Sequence, residues 1–174
     1  MRIAVFSDTH GYTAPMADAV ARFRPDAVFH LGDHDRDTEV LLRQFPEIPL
    51  YNVAGNCDFA ALAPNVLTVS LGPVKAFLTH GHLYHVDYGR VDSLVYAAQE
   101  EGCRLALFGH THGGQIFGLS GLLDIAGDVD DRYLHGLLTE NRSTLLISNG
   151  VGTSVIPARV FCPPQIHCID ISLP

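Results

Sequence analysis

Five short apolar runs, RIAVFS, DAVFHLG, PLYNVAG, VKAFLTH and RLALFGH, alternate along the chain with segments of helical character. The runs are rich in Val, Ile, Leu and Phe and have the length of buried strands. Between them, APMADAVARFR, DTEVLLRQF and GRVDSLVYAAQEEG carry spaced apolar positions, and Gly102 stands where a helix would stop. Such alternation predicts an α/β domain with buried, largely parallel strands. NVLTVSLGPVKAFLTHG departs from it, because two runs joined by Gly72-Pro73 read as a hairpin with antiparallel pairing. STLLISN and QIHCIDISL add short runs near the end. Two packed sheets flanked by helices accommodate both kinds of strand.

At 174 residues and 47% apolar content, one domain over residues 1–174 is expected. RIAVFS begins at Arg2, which leaves no room for a signal segment, and no apolar run approaches the roughly 18–20 residues of a membrane span. A cytoplasmic protein without a membrane span is therefore expected. The net charge of −8 disfavours general affinity for nucleic-acid backbone, so a negatively charged substrate needs a local source of positive charge. Cys57, Cys103, Cys162 and Cys168 have no C-x-x-C spacing and read as reduced thiols. A homo-oligomer is compatible with all of this.

The residues that follow the runs carry the chemical signal. RIAVFS leads to Asp8-Thr9-His10, DAVFHLG to Asp33, PLYNVAG to Asn56, VKAFLT to His80, and RLALFG to His110-Thr111-His112. Each is an oxygen or nitrogen ligand type, delivered beyond the carboxyl end of a strand, where open α/β sheets place their functional crevice. Residues two apart in extended chain point to the same side, so Asp8 with His10, and His110 with His112, can each face one site. Asp33 has two oxygens and is the natural bridge between two cations. Carboxylate, amide and imidazole donors suit Mn, Fe, Ni, Co or Zn as divalent ions. Asp35, Asp37 and Asp58 add negative charge nearby, which two dications would relieve.

In order, the chain carries Asp8-Thr9-His10, Gly32-Asp33-His34-Asp35-Arg36, Gly55-Asn56-Cys57-Asp58, His80 in THGH, and Gly109-His110-Thr111-His112. This series resembles the calcineurin-like metallophosphoesterases, with the N-terminal two thirds most similar to the small bacterial and archaeal phosphodiesterase branch. Beyond His112, GHTHGGQ and SNGVGTSVIPARVFCPPQI look more like a membrane-associated branch. The resemblance implies a four-layer α-β-β-α sandwich with two mixed sheets and two divalent metal ions, Mn first among them. One ion would take Asp8, His10, Asp33 and His112; the other would share Asp33 and add Asn56, His80 and His110.

The expected reaction is hydrolysis of a phosphodiester in a small phosphorylated substrate, by in-line attack of a metal-bridging hydroxide. Asp33, Asn56, His82 and Arg36 form the expected catalytic set, with His34, Cys57 and His82 as substrate contacts. Cys57 stands where many members of the family place a histidine as general acid, a task for which a neutral thiol is a poor replacement. A phosphomonoesterase or nucleotide pyrophosphatase is one alternative. Another is a metal-binding interaction scaffold, since a retromer subunit resembles this branch. His30 and His167 sit inside apolar runs and read as structural. The stretch LSGLLDIAGDVDDRYLHGLLTENR reads first as a solvated surface insertion, with an irregular cover beside the metal site, Tyr133 and His135 touching substrate, as the second reading.

Overall fold

The computed structural model describes residues 1–86, 90–112, 136–140, 143–153, 159 and 162–172. Strands β1 (Arg2–Phe6), β2 (Ala27–His30) and β3 (Leu50–Asn52) form one sheet with β9 (His167–Asp170), in the order β3-β2-β1-β9. Strands β4 (Val66–Leu71), β5 (Val74–Thr79), β6 (Leu105–Phe108), β7 (Gly136–Glu140) and β8 (Ser143–Ile147) form the second, in the order β4-β5-β6-β8-β7. Each sheet has a run of three parallel strands, β3-β2-β1 and β5-β6-β8. Antiparallel strands β9, β4 and β7 lie at the edges, and the Gly72-Pro73 hairpin joins β4 to β5 as the sequence predicts.

The strands are apolar on both faces because each sheet is covered twice. In β1, Ile3 and Val5 point between the sheets, where they meet Phe29, Leu31, Leu78, Leu107 and Leu146. Ala4 and Phe6 point outward onto Met16, Ala19 and Val20 of α1 (Ala14–Phe23) and Leu41 of α2 (Glu39–Gln44). On the far side, Phe77, Phe108 and Ile147 pack against Val91, Leu94 and Ala98 around α3 (Asp92–Glu100). The outcome is helix, sheet, sheet, helix. Phe29 is fully buried and meets Tyr51 edge to face at 5.6 Å, and truncating such a ring to Ala costs about 3–5 kcal/mol.

Two local features differ from the expectation. DTEVLLRQF is divided between a 3-10 turn (Asp35–Thr38) and the short α2, because Asp35 and Asp37 are engaged by neighbouring loops. The end of the stretch read as a surface insertion is regular: residues 136–140 form β7, paired with β8 from Gly136↔Ile147 to Glu140↔Ser143. Leu138 packs on the core beneath while Leu137 stays 65% exposed, the alternation of an edge strand. Tyr133 and His135 lie outside the described residues. No helix among the described residues is long and apolar enough to cross a membrane.

His30 shows how the outer core constrains a polar side chain. It is fully buried, its Nε2 lies 3.2 Å from Thr9 Oγ1, and its Nδ1 has no partner among the described residues. Burial lowers its pKa to about 4 from 6.5. The unfolded chain therefore binds the extra proton first, so this residue's contribution is intact above pH 6.5 and is lost as pH falls towards 4. The full penalty is about 3 kcal/mol. In chelator, urea midpoints are expected to fall between pH 6.5 and 4, and the His30→Asn variant is expected to show a flatter dependence.

Candidate metal centre

The parallel strands all end on one side of the sandwich, and the candidate ligands follow them. Asp8 and His10 follow β1, Asp33 follows β2, Asn56 follows β3, His80 follows β5, and His110 and His112 follow β6. Asp8, His10, Asp33, His110 and His112 all have positive φ, between 45° and 73°. Left-handed backbone at a non-glycine residue costs roughly 1–3 kcal/mol and collects where function holds it in place. Its concentration here marks the strand ends as a built site.

One donor set comprises Asp8, His10, Asp33 and His112, whose ligand atoms lie within 4.8 Å of one another. The Nε2 atoms of His10 and His112 are 3.2 Å apart, His10 Nε2 is 3.6 Å from Asp33 Oδ2, and His112 Nε2 is 3.3 Å from Asp8 Oδ1. A second set converges on His80 Nε2, which lies 3.0 Å from Asn56 Oδ1, 3.2 Å from His110 Nδ1 and 3.4 Å from Asp33 Oδ1. His80 Nδ1 is 2.8 Å from the Leu31 carbonyl, which can only accept, so Nδ1 carries a proton there and Nε2 presents its lone pair to the cluster. Lone pairs that face one another this closely fit divalent cations.

Electrostatics agree with this fit. Burial lowers the pKa of His10 and, more deeply in the cluster, of His112, which keeps both rings neutral and able to coordinate at pH 7. Burial works against the Asp33 charge, but His80 and the Cys57 backbone N–H outweigh it and hold the carboxyl below its usual range. Asp8 and Asp33 are 0% and 3% exposed, and buried carboxylates of this kind need a cationic partner.

Loops and glycines fix the ligands. Asp58 accepts hydrogen bonds from three backbone amides: Asp33 N at 2.9 Å, Gly55 N at 2.8 Å and Asp35 N at 2.8 Å. Cys57 N donates to Asp33 Oδ1 at 2.9 Å. The loops after β2 and β3 are thus tied together around the Asp33 carboxylate. A Cβ on Gly55 would collide with the Asp33 amide and carboxylate, and one on Gly109 would lie 2.5 Å from Asp8 Oδ2. Thr9 Oγ1 and Gly11 N both donate to Asp37 Oδ2, which holds the β1 loop.

Arg36, His34, Cys57 and Asp58 line a cleft of about 390 Å³ with Asp35 and Phe59. His34 meets the His10 ring edge-on at 5.0 Å, and His82 lies 5.4 Å from the His80 ring. The Cys57 thiol is pushed up to about 12, first by burial and then by Asp33. His82 Nδ1 is buried without a partner among the described residues, and burial lowers that ring's pKa.

Sequence reasoning missed the sixth strand end. β8 is also parallel and leads to Ser148, whose hydroxyl bonds Ser7 at 2.7 Å, and to Gly150, where a Cβ would lie 2.7 Å from Asp8 Cβ. The run STLLIS followed by NGVG carried the same signal as the other five. Arg159 is a different case: Nη1 donates to the His112 carbonyl at 3.3 Å, and Nη2 is 3.4 Å from His112 Nδ1. Nothing local in its sequence announces that contact.

Two mixed sheets between helices, with Asp, His and Asn donors gathered at the ends of the parallel strands, define an α/β protein with a candidate metal centre. Residues 1–129 match the calcineurin-like phosphoesterase superfamily domain, and the chain belongs to that superfamily. It is 31% identical over 115 residues to the probable metallophosphoesterase YsnB of Bacillus subtilis, a match that covers 64% of each chain. It therefore spans a little under two thirds of that curated relative's length. Among solved structures it is similar to a conserved uncharacterized protein, predicted to be a phosphoesterase, from Streptococcus pneumoniae TIGR4. That likeness has a TM-score of 0.65 at 26% identity and covers 97% of this chain and 83% of the other. Vps29 of Entamoeba histolytica, complexed with zinc, shares the fold at 17% identity, with a TM-score of 0.69 over 98% of this chain and 86% of that one.

Proposed function

We propose that the chain is a metal-dependent phosphodiesterase whose single domain spans residues 1–174 and whose two divalent ions share Asp33. The observation that carries this reading is the pair of donor sets meeting at one buried carboxylate, His10 3.6 Å from Asp33 Oδ2 and His80 3.4 Å from Asp33 Oδ1. Asp8, His10 and His112 complete one set; Asn56, His80 and His110 complete the other. Manganese is the first candidate, and Fe, Ni, Co and Zn suit the same donors. Bound there, the ions supply Lewis acidity that lowers the pKa of water and offsets phosphoryl charge.

The remaining side chains hold and orient the ester. Among the described residues, Arg36 is the single Arg or Lys lining the cleft, against Asp35 and Asp58. One cation suits a phosphodiester better than a monoester with its additional negative charge. His82, kept neutral by burial, is a donor for a phosphoryl oxygen, and His34 stands at the cleft mouth. Cys57 is a weak acid with its pKa near 12, so the leaving group departs with little help from it. General acid catalysis is worth about 10²–10⁴-fold, and poorly acidic leaving groups are expected to lag activated aryl esters by at least that much.

The test is to strip the protein with chelator and restore each metal in turn. Rates are then compared on a series of aryl phosphodiesters and on the matching monoester. Restored diester hydrolysis, slower on the monoester and steeply dependent on leaving-group pKa, is expected. A flat dependence would assign protonation to another group, His34 or His82. If no metal restores hydrolysis above an Asp33→Asn control, the interaction-scaffold reading replaces this one.

A further inference from the structure

The cleft beside the metal centre is a slot between two loops. His34, Asp35 and Arg36 come from the loop after β2, and Cys57, Asp58 and Phe59 from the loop after β3. Asp58 ties these loops together, and the Cys57 N–H reaches the Asp33 carboxylate, so two residues of the slot, Cys57 and Asp58, are hydrogen-bonded to Asp33. Phe59 is 87% exposed. An exposed apolar side chain is ordinary when it stands alone on a surface. Leu62, fully exposed and absent from the cleft lining, is such a case. Phe59 differs because it lines a polar slot together with Arg36. Ala60, the next residue, has φ of 57°, a left-handed turn that an alanine adopts at a cost.

We propose that Phe59 and Arg36 form a binding site for a planar aromatic group carried by one ester arm of the substrate. This rests on the phosphodiesterase reading above and narrows its substrate class. An aromatic face stacks on any flat ring, and a guanidinium offers a second flat, cationic face. A slot about 390 Å³ in volume is large enough to admit such a group. A nucleobase and a simple aryl group share this chemistry.

Binding to the manganese-loaded protein, measured by calorimetry, separates the two sources. Adenosine 5′-monophosphate is compared with ribose 5-phosphate, and phenylphosphonate with methylphosphonate; each pair differs in the ring. The ring-bearing member of at least one pair is expected to bind about five-fold tighter or more, the low end of a base–aromatic stack. Phe59→Ala is expected to abolish that preference, leave the ringless partner's affinity and the melting temperature unchanged, and be rescued by Phe59→Trp. Preference in the adenosine pair alone identifies a nucleobase, and in the phosphonate pair alone an aryl group. Equal binding within both pairs, or a preference that survives Phe59→Ala, overturns the proposal. So does a Phe59→Ala variant that keeps the preference and dissociates an oligomer by light scattering, which would make Phe59 a docking residue. If none of the four compounds binds, the phosphoester site itself is wrong, a failure distinct from that of the ring site.

Discussion

Asp33→Asn is expected to lower hydrolysis of an aryl phosphodiester by more than about 10³-fold, beyond the 10²–10³-fold cost of losing one transition-state hydrogen-bond donor. Both donor sets lose their common carboxylate at once. Asn keeps the volume of the side chain, while one oxygen becomes an NH₂ group and the negative charge disappears. The variant should still fold, because Asn keeps an acceptor oxygen for the Cys57 N–H, which donates to Asp33 Oδ1 at 2.9 Å. A ligand held at 100 times its dissociation constant stabilises a protein by about 2.7 kcal/mol. For a chain of this size that raises the melting temperature by roughly 5–10 °C. Wild-type protein is expected to show such a rise on adding manganese, and the Asp33→Asn protein little or none. A variant with wild-type activity would remove Asp33 from the site.

Asp58→Ala is expected to be nearly as damaging, by another route. Its carboxylate serves three amides on two loops, and nothing in an alanine replaces it. Unsatisfied donors cost about 1–3 kcal/mol each when buried, so a loss of at least about 3 kcal/mol in urea unfolding is expected. Partners that position ligands without touching the ion are worth about 10–100-fold in metal affinity. A metal titration should show a fall of that size, and Asp58→Asn, which retains one acceptor oxygen, should recover part of it. Stability lost with metal affinity intact would confine Asp58 to the fold.

The legibility of the site follows from its chemistry. Eight of the nine strands described could be read because their apolar runs have strand length, and the five read as ending in ligand types led to the seven candidate donors. β7 escaped because an edge strand needs only half of its side chains buried, as Leu137 and Leu138 show, and GLLTE has no continuous apolar signal. Asp58 could be placed in the turn from its motif, but its three amide partners come from residues up to 25 positions away. Arg159 reaches His112 across 47 positions. Contacts of that kind are made by the fold, and local pattern carries no trace of them. Cys57, in contrast, was legible as a weak proton donor from residue type alone, and burial beside Asp33 strengthens that reading.

The most direct measurement is anomalous diffraction from crystals loaded with manganese. Two peaks are expected roughly 3.5–4 Å apart, one among Asp8, His10 and His112, the other among Asn56, His80 and His110, with Asp33 between them. A single peak, or two peaks of which only one contacts Asp33, would contradict the shared-carboxylate centre on which the proposed reaction depends.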